Sequence, residues 1–464
     1  MSTLRFLFGL WTGKLLHALT RIIGRGGGTA MPGLVALRLC PGFLERITKD
    51  LRNGSIAVTG TNGKTTTTRM ISDILRAKGY NPISNRQGSN LARGLASAAL
   101  DRASLRGRLS GDIGLWETDE AAFLPVADAV KPRLVVVNNL FRDQLDRYGE
   151  VERLRLSIKE AISRLPDESV LVLNADDPSV ASLADGFQGR VVFFGLGDES
   201  WRLKGKVHAI DVRSCRRCGG PLKYRINFLG HLGDWRCTKC ESRRPKLDVK
   251  ARDIVHKGMT GMDAIVETRK GSFEMRLNLS GIYNVYNVLA AAAACEAMGV
   301  DLEIIEQSVQ RFRPAFGRFE RLEIEGRVLY LLLIKNPTGC NAVLETLLAA
   351  NKEPFHVLVA INDLTADGRD VSWLWDADFE LLRNKISFAW TAGIRAADMT
   401  LRLKYAGIDM NNTAEIGDLE SRFMKLLHSV PKGKTLYCLP TYTAMLKLQD
   451  ILARKGFKAR YWRE

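Results

Sequence analysis

The strongest constraint on the fold is a short glycine turn between an apolar run and the start of a helix. Ile56–Thr59 is strand-like, and the stretch Thr65–Lys78 is helical in pattern. Backbone N–H groups in such a turn face phosphate oxygens, and the helix N-terminus adds partial positive charge. The nucleotide-binding residues predicted from this pattern are Gly60, Thr61, Asn62, Gly63, Lys64, Thr65 and Thr66. Within this loop we expect Lys64 at the β- and γ-phosphates and the Thr65 hydroxyl on Mg²⁺.

Short β-branched runs alternate with helical stretches along most of the chain. The predicted strands are Ser55–Thr59, Ile113–Glu117, Leu134–Asn138, Val170–Asn174, Val191–Phe194, Val328–Ile334, His356–Ile361, Ile386–Thr391 and Thr435–Leu439. Such alternation favours parallel sheets that are covered on both faces. We therefore predict an α/β fold with a basic N-terminal arm at 1–52, a nucleotide-binding central domain at 53–318 and a C-terminal α/β domain at 319–464.

Charge and hydropathy limit the function classes. The 68 Lys and Arg residues against 51 Asp and Glu residues give a net charge of +17, which favours an anionic partner. A hydrophobic content of 46% argues against wholesale disorder. No apolar run approaches the roughly 20 residues of a membrane-spanning helix. We expect a cytoplasmic protein. The alternative interpretation of its apolar start is that residues 1–23 form a loose helix that contacts the inner face of the membrane.

Four of the eight cysteines stand in two pairs. Cys215 and Cys218 form one Cys-x-x-Cys pair, and Cys237 and Cys240 form the other. This spacing is typical of a zinc ribbon, here inserted at about 202–250, with a closed, structural Zn²⁺ site. Redox dithiols are the alternative interpretation. The basic residues around the pairs also suit a nucleic-acid surface.

Several motifs resemble the Mur ligase superfamily, whose members use ATP to activate a carboxylate as an acyl phosphate. The motifs are Gly60–Thr66, Trp116–Glu120, Asn138–Arg147, Gly281–Asn287 and Gly317–Glu320. The resemblance implies a P-loop central domain of the Mur ligase type and a Rossmann-like C-terminal domain. It also implies that Glu117 binds Mg²⁺, that Asn284 and Asn287 hold the adenine, and that Arg318 contacts the γ-phosphate.

Two positions depart from that superfamily or leave its pattern open. Gln144 stands where a histidine usually helps to hold a second Mg²⁺. Lys159 falls near the position of a carbamylated lysine, and it is equally well a surface lysine of a helix.

The C-terminal segments Lys335–Asn341, Asn362–Asp376 and Gly393–Met399 narrow the resemblance to the MurT family of this superfamily. That resemblance implies ATP-dependent amidation of the D-glutamate α-carboxylate of lipid II in peptidoglycan biosynthesis, with ammonia from a separate glutaminase of the GatD type. The implied cofactors are ATP, Mg²⁺ and Zn²⁺. Lys64 and Glu117 are the catalytic candidates in the ATP site. Asp370 and Asp376 are alternative candidates for a carboxylate that completes the Cys-His pair of the partner.

Two other functions remain open on the sequence. One is a ligase that adds an amino acid, as other Mur and folylpolyglutamate enzymes do. The other is an ATP-dependent nucleic-acid-binding protein built on the nucleotide loop and the basic ribbon. We expect no nucleic acid among the partners, because the Mur motifs account for more of the chain.

Overall fold

A computed structural model describes residues 3–22, 30–85, 89–142, 150–203, 211–313 and 318–458. In chain order its strands are β1 (Ser55–Thr59), β2 (Pro82–Ser84), β3 (Ile113–Glu117), β4 (Leu134–Val137), β5 (Val170–Asn174), β6 (Arg190–Leu196), β7 (Leu222–Leu229), β8 (Leu232–Cys237), β9 (Val249–His256), β10 (Met262–Thr268), β11 (Gly271–Leu277), β12 (Arg318–Ile324), β13 (Arg327–Leu332), β14 (Phe355–Ala360), β15 (Ile386–Ala392), β16 (Thr413–Glu415) and β17 (Thr435–Pro440). Its α-helices are α1 (Thr3–Ile22), α2 (Met31–Leu39), α3 (Phe43–Thr48), α4 (Lys64–Ala77), α5 (Ala92–Arg102), α6 (Phe123–Val130), α7 (Glu150–Ser163), α8 (Pro178–Ala181), α9 (Ile282–Ala297), α10 (Leu302–Arg311), α11 (Pro337–Ala350), α12 (Ala396–Tyr405), α13 (Leu419–Ser429) and α14 (Tyr442–Arg454).

The larger sheet has the strand order β11-β10-β9-β6-β5-β4-β1-β3-β2. Strands β1 to β6 and β9 pair in parallel, and β10 pairs antiparallel with both β9 and β11. Alternate residues of β1 point to opposite faces: Ile56 and Val58 pack with α4 and α9, and Ala57 packs with α6 and α7. The predicted parallel α/β sheet is confirmed, and β1, β3 and β5 have the predicted bounds.

The second sheet has the order β12-β13-β17-β14-β15-β16, and its strands are parallel apart from the β12–β13 hairpin. Helix α11 packs on one face through Leu344 and Leu347, and α13 and α14 pack on the other through Phe423 and Leu448. The α/β character predicted for this half is therefore confirmed. Its Rossmann-like connectivity and the predicted domain boundaries stay predictions. Arg318, placed by those boundaries at the end of the central domain, is the first residue of β12.

The described part of residues 1–52 is helical and packed. Phe6 and Leu10 of α1 and Phe43 of α3 are buried in one cluster with Leu95 of α5 and Trp116 of β3. This segment, which we predict as a basic arm, thus forms a helical layer against the larger sheet. Its apolar residues recur at helical spacing, so the helices bury one apolar side each. The burial of these side chains determines the fold of the segment more than its basic composition does.

The cysteine pairs lie on and beside the antiparallel hairpin of β7 and β8, between β6 and β9 in the chain. Trp235 of β8 is buried, and its indole N–H donates to the Ala175 carbonyl, 3.0 Å away. The hairpin is therefore fixed to the turn that follows β5. Within the described residues, no helix combines the length and the apolar character needed to cross a bilayer.

Candidate active site

The glycine turn after β1 has the backbone that its sequence predicts. Gly60 and Gly63 have φ values of 126° and 83°, in the left-handed range that glycine tolerates, and α4 begins at Lys64. A Cβ at Gly63 would lie 2.1 Å from Asn287 Oδ1, so a larger residue there would displace the buried Asn287 side chain. Glycine is thus required at two positions of the turn, and the second of them lies against Asn287 of α9.

The loop after β4 supports this turn from below. Asn139 accepts from Thr61 N at its carbonyl, 2.9 Å away, and from Asn62 N at its side chain, 2.8 Å away. The Thr61 hydroxyl accepts from Phe141 N, 3.0 Å away. The sequence offered Asn139 only as part of the Asn138–Arg147 motif, and its role in holding the nucleotide loop became visible with the fold.

Lys64 is buried and paired. Its Nζ lies 2.8 Å from Glu120 Oε2, and it also donates to the Gly60 carbonyl. Burial disfavours the charged ammonium, but the attraction and hydrogen bond of Glu120 outweigh it, so the pKa of Lys64 is raised. Glu120 was not among the predicted site residues. Its only sequence signal is its position three residues after Glu117 at the end of a strand.

Glu117 and Thr65 meet at the carboxyl end of β3. Thr65 Oγ1 donates to Glu117 Oε1 over 2.6 Å, and Asn90 Nδ2 donates to the same oxygen over 2.8 Å. Asn85 fixes the backbone of Glu117 by accepting from its N–H and donating to its carbonyl. The two residues predicted to hold Mg²⁺ therefore lie in contact, with a hydroxyl and a carboxylate oxygen of the kind that Mg²⁺ prefers.

Asn284 and Asn287 lie in the first turns of α9, on one side of it. Asn287 Nδ2 donates to Asn284 Oδ1, 3.2 Å away, and Asn287 Oδ1 accepts from the Thr67 hydroxyl, 3.3 Å away. Both asparagines line the same cleft as Lys64 and Thr65. The structure therefore brings together the residues predicted for phosphate and adenine. The side chain of Arg318, like Gln144, lies outside the described residues.

The cleft has a volume of about 480 Å³ and opens between the two sheets. From the nucleotide side it is lined by the turn from Thr61 to Thr66, and from the other side by Lys335, Asp367, Asp370 and Trp373. Asn62 and Asn336 exchange side-chain hydrogen bonds across it, with 3.1 Å between Asn336 Nδ2 and Asn62 Oδ1. Residues that follow strands of the second sheet thus line the same cleft as the predicted nucleotide-binding residues.

The two candidate aspartates have different surroundings. Asp370 lines the cleft, and its Oδ1 accepts from Ser372 N, 2.8 Å away. Asp376 is half-buried outside the cleft lining, with Oδ2 at 3.2 Å from Arg142 Nη2. Their roles toward a partner stay predictions.

Arg142 continues into a buried polar cluster that the sequence did not reveal. Its Nε donates to Asp211 Oδ1 over 2.7 Å. His231, fully buried, lies with Nε2 3.3 Å from Asp177 Oδ2. Asp177 also accepts from Leu140 N, 2.8 Å away, in the loop that supports the nucleotide turn. The cluster therefore ties the nucleotide loop, the cysteine hairpin and the segment of Asp376 together.

A second polar contact joins the cysteine module to α9. Asp176 is buried, and it accepts from Arg244 Nε over 2.7 Å and from the Tyr286 hydroxyl over 2.6 Å. Burial raises the pKa of Asp176, although Arg244 and Tyr286 act in the opposite direction. Tyr286 immediately precedes Asn287, so the module is linked to the predicted adenine site.

The four paired cysteines converge. Their sulfur atoms all lie within 4.8 Å of one another, with 3.4 Å between Cys218 and Cys237 and 3.7 Å between Cys215 and Cys240. Four sulfurs at about 2.3 Å from a central ion stand roughly 3.8 Å apart in a tetrahedron. Backbone N–H groups of Gly220 and Lys239 donate to the Cys218 and Cys237 sulfurs. The arrangement is compatible with zinc.

Lys159, the position near that of a carbamylated lysine, is half-buried on α7.

Two family descriptions match the chain: "Mur ligase middle domain" over residues 58–232 and "MurT ligase C-terminal" over residues 333–445. A relative from Streptococcus pneumoniae, named lipid II isoglutaminyl synthase (glutamine-hydrolyzing) subunit MurT, is 32% identical over 97% of this chain and 98% of its own length. The chain belongs to the MurT family.

A second MurT relative, from Staphylococcus aureus, is 30% identical over 95% of this chain and 96% of its own length. Among solved structures, a pseudomurein peptide ligase type C from Methanothermus fervidus superposes with a TM-score of 0.66 at 23% identity. It covers 90% of this chain and 84% of that one, and it supports the shared fold alone. The MurT sequences therefore span both sheets and the cysteine hairpin of this chain.

Proposed function

We propose that this chain is the synthetase subunit that amidates the D-glutamate α-carboxylate of lipid II in peptidoglycan biosynthesis. The reaction uses ATP and ammonia, and a separate GatD-type glutaminase supplies the ammonia from glutamine. The observation that carries the proposal is one cleft shared by the nucleotide turn and the MurT-type second sheet, in a chain similar to MurT over nearly its full length. A substrate carboxylate held by the second sheet would therefore face the nucleotide phosphates.

The side chains in the cleft fit ATP with Mg²⁺. The backbone of Gly60–Gly63 suits phosphate oxygens, and Thr65 and Glu117 offer two oxygen ligands in contact with each other. When bound, Mg²⁺ neutralises charge on the phosphates. Lys64 then provides a fixed positive charge, and Asn284 and Asn287 offer amide groups to the base. We extend the phosphate role to Arg318 on the resemblance alone.

The chemistry has two balanced steps. A carboxylate oxygen attacks the γ-phosphorus of ATP, the bond to the bridging oxygen breaks, and ADP and an acyl phosphate form. Neutral ammonia then attacks the acyl carbon, the bond to the phosphate oxygen breaks, and the amide forms with release of phosphate and a proton. Charge develops on the transferred phosphoryl group, and preorganised donors stabilise it there. Lys64 is such a donor, since Glu120 and the Gly60 carbonyl already fix its position.

Zn²⁺ on Cys215, Cys218, Cys237 and Cys240 has a structural role in this proposal. Four thiolates leave no open position for water, so the ion stabilises the β7–β8 hairpin rather than taking part in the reaction. The hairpin contacts the turn after β5 through Trp235 and reaches α9 through Arg244 and Asp176.

Because lipid II is a membrane-bound acceptor, the proposed function also places the enzyme at the inner face of the cytoplasmic membrane.

The test is the mass of purified lipid II after incubation with this chain, ATP, glutamine and a GatD-type glutaminase. Amidation makes the acceptor slightly lighter, whereas addition of an amino acid makes it much heavier. We expect the lighter product, and we expect it also with ammonium chloride in place of glutamine and partner. A heavier product, or ATP hydrolysis that responds to nucleic acid and not to lipid II, would overturn the proposal. The negative control is Thr65→Val. It keeps the shape of the loop and removes a Mg²⁺ ligand.

A further inference from the structure

Helix α1 is apolar on two opposite sides. Its inner side carries Phe6, Leu10 and Gly13. The Phe6 ring stacks on Phe43 of α3, and Gly13 lies against Ala36 of α2 and Leu100 of α5. Its outer side carries an exposed row of large apolar residues, which we call the outer stripe: Leu4, Phe8, Trp11, Leu15 and Leu19. These five side chains are between 43% and 81% exposed. Steps of four, three, four and four residues place them on one narrow side of a helix.

The outer stripe is long for a surface feature. Fifteen residues separate Leu4 from Leu19, which corresponds to about 22 Å along a helix. An exposed helix of a monomer normally has polar residues on its outer side. A contiguous apolar row of this kind marks a surface that another molecule covers.

Exposed arginines lie on one side of the outer stripe. The loop that follows α5 lies beside it, because the Trp11 indole N–H donates to the Leu105 carbonyl over 2.9 Å. Leu105 is itself 67% exposed, and Arg102, Arg106 and Arg108 around it are exposed. Within the described ranges, none of these three arginines pairs with a carboxylate. Arg5 and Lys14 of α1 instead donate to backbone carbonyls, Arg5 to that of Leu39 and Lys14 to those of Leu100 and Ala103.

We propose that the outer stripe, Leu105 and the surrounding arginines form a docking face for an anionic phospholipid bilayer. The apolar side chains enter the acyl boundary, Trp11 lies at the headgroup level, and the arginines contact lipid phosphates. The inner side of α1 stays packed on α2 and α5, so the helix lies parallel to the bilayer surface. The occupant rests on the proposed function in one respect, which is that a lipid-linked acceptor gives the enzyme a reason to be there.

Charge favours lipid over a second copy of this chain. A two-fold contact through the outer stripe would bring equivalent surfaces together, including the arginines, and like charges oppose such a contact. Anionic lipid instead neutralises them.

The loop with Leu105 leads into the amino end of β3, whereas Glu117 lies at its carboxyl end. Four residue steps of strand, about 13 Å, therefore separate the amino end of β3 from Glu117 in the cleft.

The experiment is sedimentation of the full chain with vesicles of phosphatidylcholine alone or with about one-third phosphatidylglycerol. The test variant is Phe8→Glu with Leu15→Glu, and the matched control is Leu156→Glu with Leu401→Glu, two exposed leucines elsewhere. We expect binding to the anionic vesicles that weakens with salt, at least about tenfold loss in the test variant and none in the control. A variant with Arg102, Arg106 and Arg108 changed to Gln should lose binding to anionic vesicles without a change in folding.

Three results would overturn the proposal: no binding to either vesicle, equal binding by the test variant, or binding that ignores lipid charge. A dimer of the wild type in sedimentation velocity, lost in the test variant while vesicles have no effect, would assign the stripe to a second copy instead. ATP hydrolysis and ammonia-driven amidation of a soluble, short-chain acceptor keep the two proposals separate. We expect the test variant to retain both activities, and their absence in the wild type would count against the proposed function alone.

Discussion

Arg142 Nη2 lies 3.2 Å from Asp376 Oδ2, so an ion pair joins the loop after β4 to the second sheet. Both side chains are more than one-third exposed, so the pair contributes little to the free energy of unfolding. The ion pair instead fixes the position of Asp376, because Arg142 also binds Asp211 and belongs to the loop that supports the nucleotide turn. Asp370, by contrast, faces the cleft itself.

Asp370→Asn and Asp376→Asn should therefore separate the two nitrogen sources. We expect Asp370→Asn to slow amidation at least about tenfold with free ammonia as well as with glutamine, because it changes charge inside the cleft. Asp376→Asn should slow only the glutamine-driven reaction with the partner. Turnover with each nitrogen source checks this, and thermal unfolding shows whether either variant has lost the second sheet. Normal ammonia-driven turnover in Asp370→Asn would contradict the placement.

Lys64→Ala should remove activity and also stability. Removal of one member of a buried ion pair leaves the other charge unpaired, which costs about 3 kcal/mol. The control is Lys64→Ala combined with Glu120→Gln, which should recover most of the stability and none of the turnover. Urea denaturation and amidation assays measure the two effects separately. Recovery of turnover in the double variant would show that Lys64 is not needed at the phosphates.

The cysteine module should contain about one Zn²⁺ per chain. Cys218→Ser should lower the metal content and, through Trp235 and Arg244, weaken ATP binding as well. Elemental analysis and nucleotide titration are the measurements. Cys438→Ala is the matched control, because that buried thiol lies in the second sheet and should leave the metal unchanged. Full metal content in Cys218→Ser would refute the site.

Tyr286→Phe should weaken ATP binding although it changes no charged group in the nucleotide cleft. It removes the donor to the buried Asp176 and leaves that carboxylate with fewer partners, at a cost of about 1–3 kcal/mol. We expect lower affinity for ATP because α9 carries Asn287 in the next position. Calorimetric titration of ATP into wild type and variant measures it, with Tyr405→Phe on the exposed surface of α12 as control. Equal affinities would separate the module from the base site.

Glu345 should make stability depend on pH. Burial, with the nearby charge of Asp378, raises the pKa of Glu345 to about 7. The folded state therefore holds a proton that the unfolded chain, with a pKa near ~4.3, gives up, so stability falls as pH rises between those values. Glu345→Gln should remove this dependence and be more stable than wild type at pH 8, by urea denaturation. Glu323→Gln, an exposed control, should behave as wild type does.

The sequence predicted the elements better than their contacts. The strand that ends before Gly60 and the strand that ends at Glu117 were readable because β-branched runs and glycine turns are local signals. The meeting of Thr65 with Glu117 came from the family resemblance, and the geometry agrees with it. Glu120, Asn90 and Asn139 were missed, since their roles arise from partners that are distant in the chain. The packing of residues 1–52 against the larger sheet was missed, because charge there obscured the apolar spacing.

Asn336 caps α11 by accepting from Gly339 N over 2.8 Å, and the same side chain exchanges hydrogen bonds with Asn62 at the tip of the nucleotide turn. The amide of Asn336 thus contacts both the start of α11, beside the second sheet, and the loop predicted to bind phosphate, beside the larger sheet. Two ligands that both change the free energy of this contact change each other's affinity by the same factor. On the proposed function these two ligands are ATP and the acceptor, and an affinity for either one should then be measured at a stated concentration of the other.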